Sequence, residues 1–279
     1  MVIEETGEER TDRWSSVSGA ARVADAARRL AELAASAAEA RVRARYLELL
    51  APQSGEVIID VGAGAGAITV TLARRVAPGG RVFAVDPSAG LLEKAREMAH
   101  EAGVGHLVDT RVADGRALPF GPAAFDAAFC HWVLLHIERP EVVIAEMKRV
   151  TRRGGRVLSV EVDWETAMVH PGDTAVTRRI LHHASDRNVD GWIGRRLAGL
   201  YDAAGFGTVT FEPIVLVDRG RDDETWLAYL LARADKALDA GVIVRDDHTR
   251  WTAGLSEAFA AGTFFFALTQ FAALGRVPA

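Results

Sequence analysis

Cysteine is almost absent from this chain, and lysine is scarce: Cys130 stands alone, and three lysines face thirty arginines. One cysteine excludes an intramolecular disulfide and any paired-thiolate metal site, and it suits a reducing, cytoplasmic setting. Positive charge is also in deficit. The 33 basic residues are outnumbered by 38 acidic ones, the net charge is −5, and no basic run occurs, which argues against a nucleic-acid footprint. The start, MVIEETGEERTDRW, is acidic and polar, unlike a secretory leader. A long uncharged run occurs at 258–275, AFAAGTFFFALTQFAALG, where Gly262, Thr263, Thr269 and Gln270 interrupt the apolar residues. Phe264–Phe266 reads as a buried strand, so a core strand is expected there and not a membrane span. No histidine, cysteine or acidic cluster has metal-ligand spacing, and no metal is expected. Internal repeats, low-complexity tracts and flexible linkers are missing too.

What is present is apolar: 49% hydrophobic residues in 279 can bury a substantial core in a single domain. Helical spacing runs from Val23 to Ala37, and again over Ala40–Leu50 until Pro52 stops it. Strands and helices then alternate. EVIIDV and RVFAVD are expected strands around a helix from Ala67 to Val76, and Ser88 caps a helix that ends at Gly103. VDTRVAD and FDAAFCHWV read as further strands, residues 138–155 as a helix, and RVLSVEVD as a fifth strand. Such alternation implies a parallel sheet covered on both faces. The second half departs from it. Residues 164–204 read as mixed helical and polar, 205–217 as a strand, and 222–241 and 245–262 as two helices ahead of the phenylalanine-rich strand.

The chemistry concentrates in VIIDVGAGAGAITVTLARR, Val57 to Arg75, where glycines alternate at 62, 64 and 66 between a strand and a helix. Bare backbone there approaches a ligand closely, and the helix start offers unpaired N–H groups. Gly62, Gly64 and Ala67 even satisfy the loose G-x-G-x-x-A pattern of NAD enzymes, so the loop alone says only nucleoside cofactor. Ligands of open parallel sheets bind beyond the carboxyl ends of the strands. Asp86, twenty residues after Gly66, is placed to accept ribose hydroxyls, or else to cap the next helix before Pro87. Asp114 is placed to accept the adenine amine, or else to make a surface turn.

Five ordered motifs, DVGAGAG, VDPS, ADGRALPF, FDAAFCHWVLLHI and EMKRVTRRGGRVL, resemble those of class I S-adenosylmethionine-dependent methyltransferases over about residues 50–165, particularly the ubiquinone/menaquinone-methyltransferase-like branch. The resemblance implies an α/β, Rossmann-like, doubly wound seven-stranded sheet with an antiparallel last hairpin and a helical cap. It divides the chain into an N-terminal helical lid (1–50), a cofactor-binding core (51–163), and cap insertions with the last two strands (164–279). It also implies S-adenosylmethionine as cofactor and S-adenosylhomocysteine as product. Asp60, Gly62, Ala63, Gly64 and Gly66 would line its methionine and ribose part, Asp86 and Pro87 the ribose, Asp114 and Gly115 the adenine, and the backbone at His131 the methionine end.

No motif announces a catalytic base. Glu165 and Asp163, after the fifth strand, are the expected acceptor-side acids, with solvated loop acids as the alternative. His131 and His136 are candidate bases or structural histidines. On the acceptor side Trp14, Trp132, His136, Trp164 and His182 are the expected contacts, although the tryptophans serve equally as core anchors. The N-terminal segment and helices 222–261, carrying Trp14, Tyr46, Trp226 and Tyr229, are expected to close over the sheet's carboxyl edge. The expected partner is a small organic molecule of specialised metabolism, with no nucleic acid and no membrane, and self-association into a homodimer is left open. A cofactor-bound cyclase without methyl transfer, and an NAD-dependent oxidoreductase, are the competing readings.

Overall fold

In the computed structural model, residues 19–279 are described, and they form one seven-stranded sheet in the order β3-β2-β1-β4-β5-β7-β6. Helices α1 (Ala20–Ala35) and α2 (Ala37–Leu50) precede β1 (Val57–Val61), α3 (Ala67–Val76), β2 (Arg81–Asp86), α4 (Ala89–Glu101), β3 (Val108–Val112) and β4 (Phe125–His131). After α5 (Pro140–Val150) come β5 (Thr151–His170), α6 (Thr174–Asp186), α7 (Ile193–Ala203), β6 (Thr208–Asp218), α8 (Thr225–Asp239), α9 (Arg245–Ala260) and β7 (Phe265–Arg276). Strands β1 to β5 pair in parallel, while β7 runs antiparallel between β5 and β6. The doubly wound sheet with its reversed last hairpin is as expected.

Neighbouring residues of β7 show how both faces are covered. Gln270 hydrogen-bonds Glu39 of α2 (2.8 Å), whereas a Cβ at Gly194 of α7 would touch Phe271 and the backbone of Val162. Helices α2 and α7 therefore lie on opposite faces. A strand enclosed this way is apolar on both sides, which accounts for the uncharged run at its start. No helix among the described residues is long and apolar enough to cross a membrane.

Three boundaries differ from the sequence reading. The expected helix over 138–155 stops at Val150, because Thr151 is extended, bonds Met147 O through its hydroxyl (2.7 Å), and pairs with Phe125. The fifth strand, expected at 156–163, continues to His170. Its register with β7 breaks between Asp163 and Met168, where the Thr166 hydroxyl accepts the Thr269 N–H (2.9 Å) and keeps the strands joined. At the other end of the site, β4 stops at His131. Trp132 adopts φ 55°, a left-handed conformation uncommon for an aromatic residue, while its N–H still donates to Val160 O (2.9 Å).

Candidate active site

One cleft opens at the carboxyl edge of β1, β2 and β4, roofed by Leu30, Leu33 and Ala34 of α1. Its volume is about 1270 Å³ including the open mouth. The turn after β1 is built by positive φ at Gly62, Gly64 and Gly66. Val85 O accepts the N–H groups of Gly62 (2.7 Å) and Ala63 (3.0 Å), and the Asp86 carboxylate accepts that of Gly64 (2.9 Å). The other Asp86 oxygen accepts Ser88 N–H (2.9 Å), and Ser88 caps α4. The glycines at 62 and 66 answer to protein as much as to ligand. A Cβ at Gly62 would lie 2.3 Å from Val133 Cγ2, and one at Gly66 2.8 Å from Ala95 Cα of α4. At Gly64 it would meet only Leu30 Cδ1, at 3.2 Å, so the backbone here faces the cleft.

Burial dominates the electrostatics. Asp60 is buried beneath the turn, and burial pushes its carboxyl up to about 6 although the Thr69 hydroxyl donates to it (2.6 Å). Glu161 of β5 is fully buried. Burial raises it to about 7, against the N–H groups it accepts from Leu134 (2.7 Å), Val133 (2.8 Å) and Leu135 (3.4 Å). It thus pins the turn after β4 that carries Trp132, Val133 and His136 into the cleft wall. Asp114, paired with Arg116, titrates below the usual carboxylate range because of those hydrogen bonds.

Asp60, Gly62, Ala63, Gly64, Gly66, Asp86, Pro87, Asp114, Gly115 and His131, the ten residues expected around the cofactor, all line this cleft, as do Trp132 and His136. The other expected contacts lie elsewhere. Asp163 is buried and held by both arms of Arg195, and it accepts Glu165 N–H. Glu165 faces the exposed ring of His182 (3.4 Å). Neither acid lines the cleft, because the irregular stretch of β5 turns both toward α6 and α7. Trp164 packs face to face with Tyr229 (5.7 Å) outside the lining. Of the expected lid residues, Tyr46 and Trp226 are fully buried core and not cleft wall, and helices α8 and α9 contribute nothing to the lining. Trp14 lies outside the described residues.

Sequence reasoning missed Glu39, Glu161 and Gln270. Glu39 lines the cleft, shares a helical stripe with the buried Val42, Tyr46 and Leu50, and is itself 3% exposed. Its Oε2 accepts Gln270 Nε2, and its Oε1 lies 3.3 Å from His131 Nε2. A charged residue inside an apolar helical stripe was the available signal, and so was a polar residue inside each of two buried strands.

Residues 59–159 match the family model of a methyltransferase domain. Over 88% of its length the chain is 32% identical to an uncharacterised 37.1 kDa protein of a Streptomyces fradiae transposon, 70% of which is covered. It is also 31% identical to the ubiquinone/menaquinone biosynthesis C-methyltransferase UbiE of Hahella chejuensis, across 39% of this chain and 44% of that one, so it spans under half of that relative's length. Among solved structures, a putative methyltransferase from Bacillus halodurans superposes with TM-score 0.59 at 17% identity, covering 85% of this chain and 99% of that one. The [4+2]-cyclase SpnF gives 0.53 at 23%, covering 86% and 80%. The strand-end carboxylates and the bare backbone at Gly64 suit a nucleoside with an amino-acid tail, and the chain belongs to the class I S-adenosylmethionine-dependent methyltransferases with UbiE-like relatives.

Proposed function

We propose that this protein transfers the methyl group of S-adenosylmethionine to a small organic molecule of specialised metabolism. When bound, that cofactor supplies an electrophilic methyl on a sulfonium. The chain's own part is to hold, orient and exclude water. Asp86 would hold the ribose, Asp114 and Gly115 the adenine, and the turn from Gly62 to Gly66 the methionine end. The carrying observation is the cleft itself, roofed by α1, walled by Trp132 and lined by all ten residues expected around the cofactor. Positioning two reactants there supplies up to roughly 7–11 kcal/mol.

Mass analysis tests this directly. The protein is incubated with methyl-labelled S-adenosylmethionine and a panel of phenols, amines, prenyl diphosphates and polyenes. Methyl transfer adds one labelled methyl group and removes one hydrogen, whereas cyclisation changes retention without changing mass. The second outcome would move the assignment to the reaction named for the fold neighbour SpnF.

A further inference from the structure

The imidazole of His131 sits where the cleft meets a buried polar group supplied by three elements. Its Nε2 lies 3.3 Å from Glu39 Oε1 of α2 and 3.2 Å from Gln270 Oε1 of β7. Both of these atoms are acceptors, and the Gln270 amide is oriented by donating its own Nε2–H to Glu39 Oε2 (2.8 Å). A nitrogen between two acceptors must carry the proton, so the neutral ring keeps its lone pair on Nδ1. Nothing among the described residues hydrogen-bonds Nδ1. The rings of Tyr46 (5.3 Å) and Trp132 (5.5 Å) pack against the imidazole and fix its tilt. Glu39 is 3% exposed, and among the described residues its Oε1 has no hydrogen-bond partner, the His131 ring standing nearest at 3.3 Å.

We infer that His131 is the base that takes the acceptor's proton, that Glu39 and Gln270 are its positioning residues, and that the acceptor is a phenolic or enolic hydroxyl compound. The inference rests on the methyl-transfer reading and deepens it. In the step, the hydroxyl proton passes to Nδ1, the oxygen's electron pair forms the new O–CH₃ bond, and the pair of the broken C–S bond stays on sulfur. Charge is conserved: one positive charge leaves the cofactor and one forms on the ring. Glu39 of α2, Asp60 of β1 and Glu161 of β5 are the carboxyl groups that face this ring, and Glu39, 3.3 Å from Nε2, lies nearest the positive charge that forms there. A neutral imidazole takes a proton from a phenol or enol far more readily than from an alkyl alcohol, which points to the acceptor class.

The test is ¹⁵N NMR of histidine-labelled protein saturated first with S-adenosylhomocysteine and then with sinefungin, which carries an amine at the reacting position. The His131 signals are those lost in His131→Asn, with His131→Gln as the second variant should the first fail to fold. The expected result is a ring protonated on Nε2, whose bare Nδ1 resonance shifts when the amine arrives. In Glu39→Gln, whose amide can donate as well as accept, the proton should no longer be fixed on Nε2, and the two ring-nitrogen resonances should move toward one another. In calorimetry, His131→Asn should cost sinefungin about tenfold more affinity than S-adenosylhomocysteine, as for a hydrogen bond to a charged group. An Nδ1 resonance identical with both ligands, or a proton on Nδ1, overturns the base. Methylation of amines but not phenols in the acceptor panel overturns the acceptor class. Failure of both ligands to bind would instead overturn the cofactor reading.

Discussion

Burial sets the titration of Glu161, the carboxyl that holds the turn after β4. Its folded-state value of about 7 lies above the ordinary 4.5, so the native protein binds a proton that the unfolded chain releases. Its stabilising share is complete below about pH 4.5 and is lost as pH rises through about 7. At ~1.4 kcal/mol per pH unit, that loss approaches ~3 kcal/mol. Asp60, raised from 3.8 to about 6, acts with the same sign. Glu161→Gln keeps a carbonyl oxygen for the Val133 and Leu134 N–H groups but no longer titrates. Urea unfolding between pH 5 and 8 should therefore show stability falling with pH in the wild type and a distinctly flatter profile in Glu161→Gln. Equal slopes would mean that Glu161 stays ionised in the fold. Little of this was legible in the sequence. VLSVEVD shows that a glutamate alternates with apolar residues, but a strand pattern cannot say that this side chain ends beneath a turn reached from another strand.

Among the elements, α1 stands apart from the main core. Val23, Ala26 and Ala27 pack with Ala65 and Leu91 in a satellite cluster, whereas α2 contributes Val42, Tyr46, Leu47 and Leu50 to the central one. Gly19 begins α1 without a side-chain cap. Few buried contacts mean a low cost of local opening, and Leu30 and Leu33 roof the cleft, so we propose α1 as the element that moves when a ligand enters. Hydrogen exchange should find α1 amides far less protected than those of α2 in the free protein. Saturation with S-adenosylhomocysteine at a hundredfold excess over Kd should raise α1 protection up to about 100-fold if opening abolishes binding. Unchanged α1 exchange beside a protected sheet edge would mean that α1 is no lid. Helical periodicity made α1 and α2 legible as helices and placed the break near Ser36, which caps α2 by accepting Glu39 N–H. It did not distinguish the helix that roofs the cleft from the pair α8 and α9. That choice depends on how β6 and β7 return across the sheet, which no local pattern encodes.

At the scale of the whole molecule, the sheet was legible because β1, β2 and β4 are apolar runs that lead into cleft residues, and the alternation leaves few topologies. The acceptor side was not. Asp163, Glu165, Trp164 and His182 sit near one another in sequence or on facing elements, yet they spend their contacts on Arg195, Tyr229 and each other. The cofactor side also joins elements that hold the molecule together: ligand at the turn from Gly62 to Gly66 would bridge β1, β2, the turn after β4, α1 and α2. Binding should then stabilise the fold globally. At a hundredfold excess over Kd the gain is ~2.7 kcal/mol. For a chain of this size roughly 2–4 °C per kcal/mol follows, so S-adenosylhomocysteine should raise Tm by about 5–10 °C, and NAD should not. Asp86→Ala should weaken binding by about 1.5–3 kcal/mol, as for hydrogen bonds to a charged group, and lose most of that shift at the same ligand concentration. Circular dichroism of the variant separates lost binding from lost folding, since Asp86 also anchors Gly64 and Ser88. A full shift retained by folded Asp86→Ala would remove this carboxylate from the cofactor site. A shift produced equally by NAD would return the glycine turn to the dinucleotide pattern it also fits.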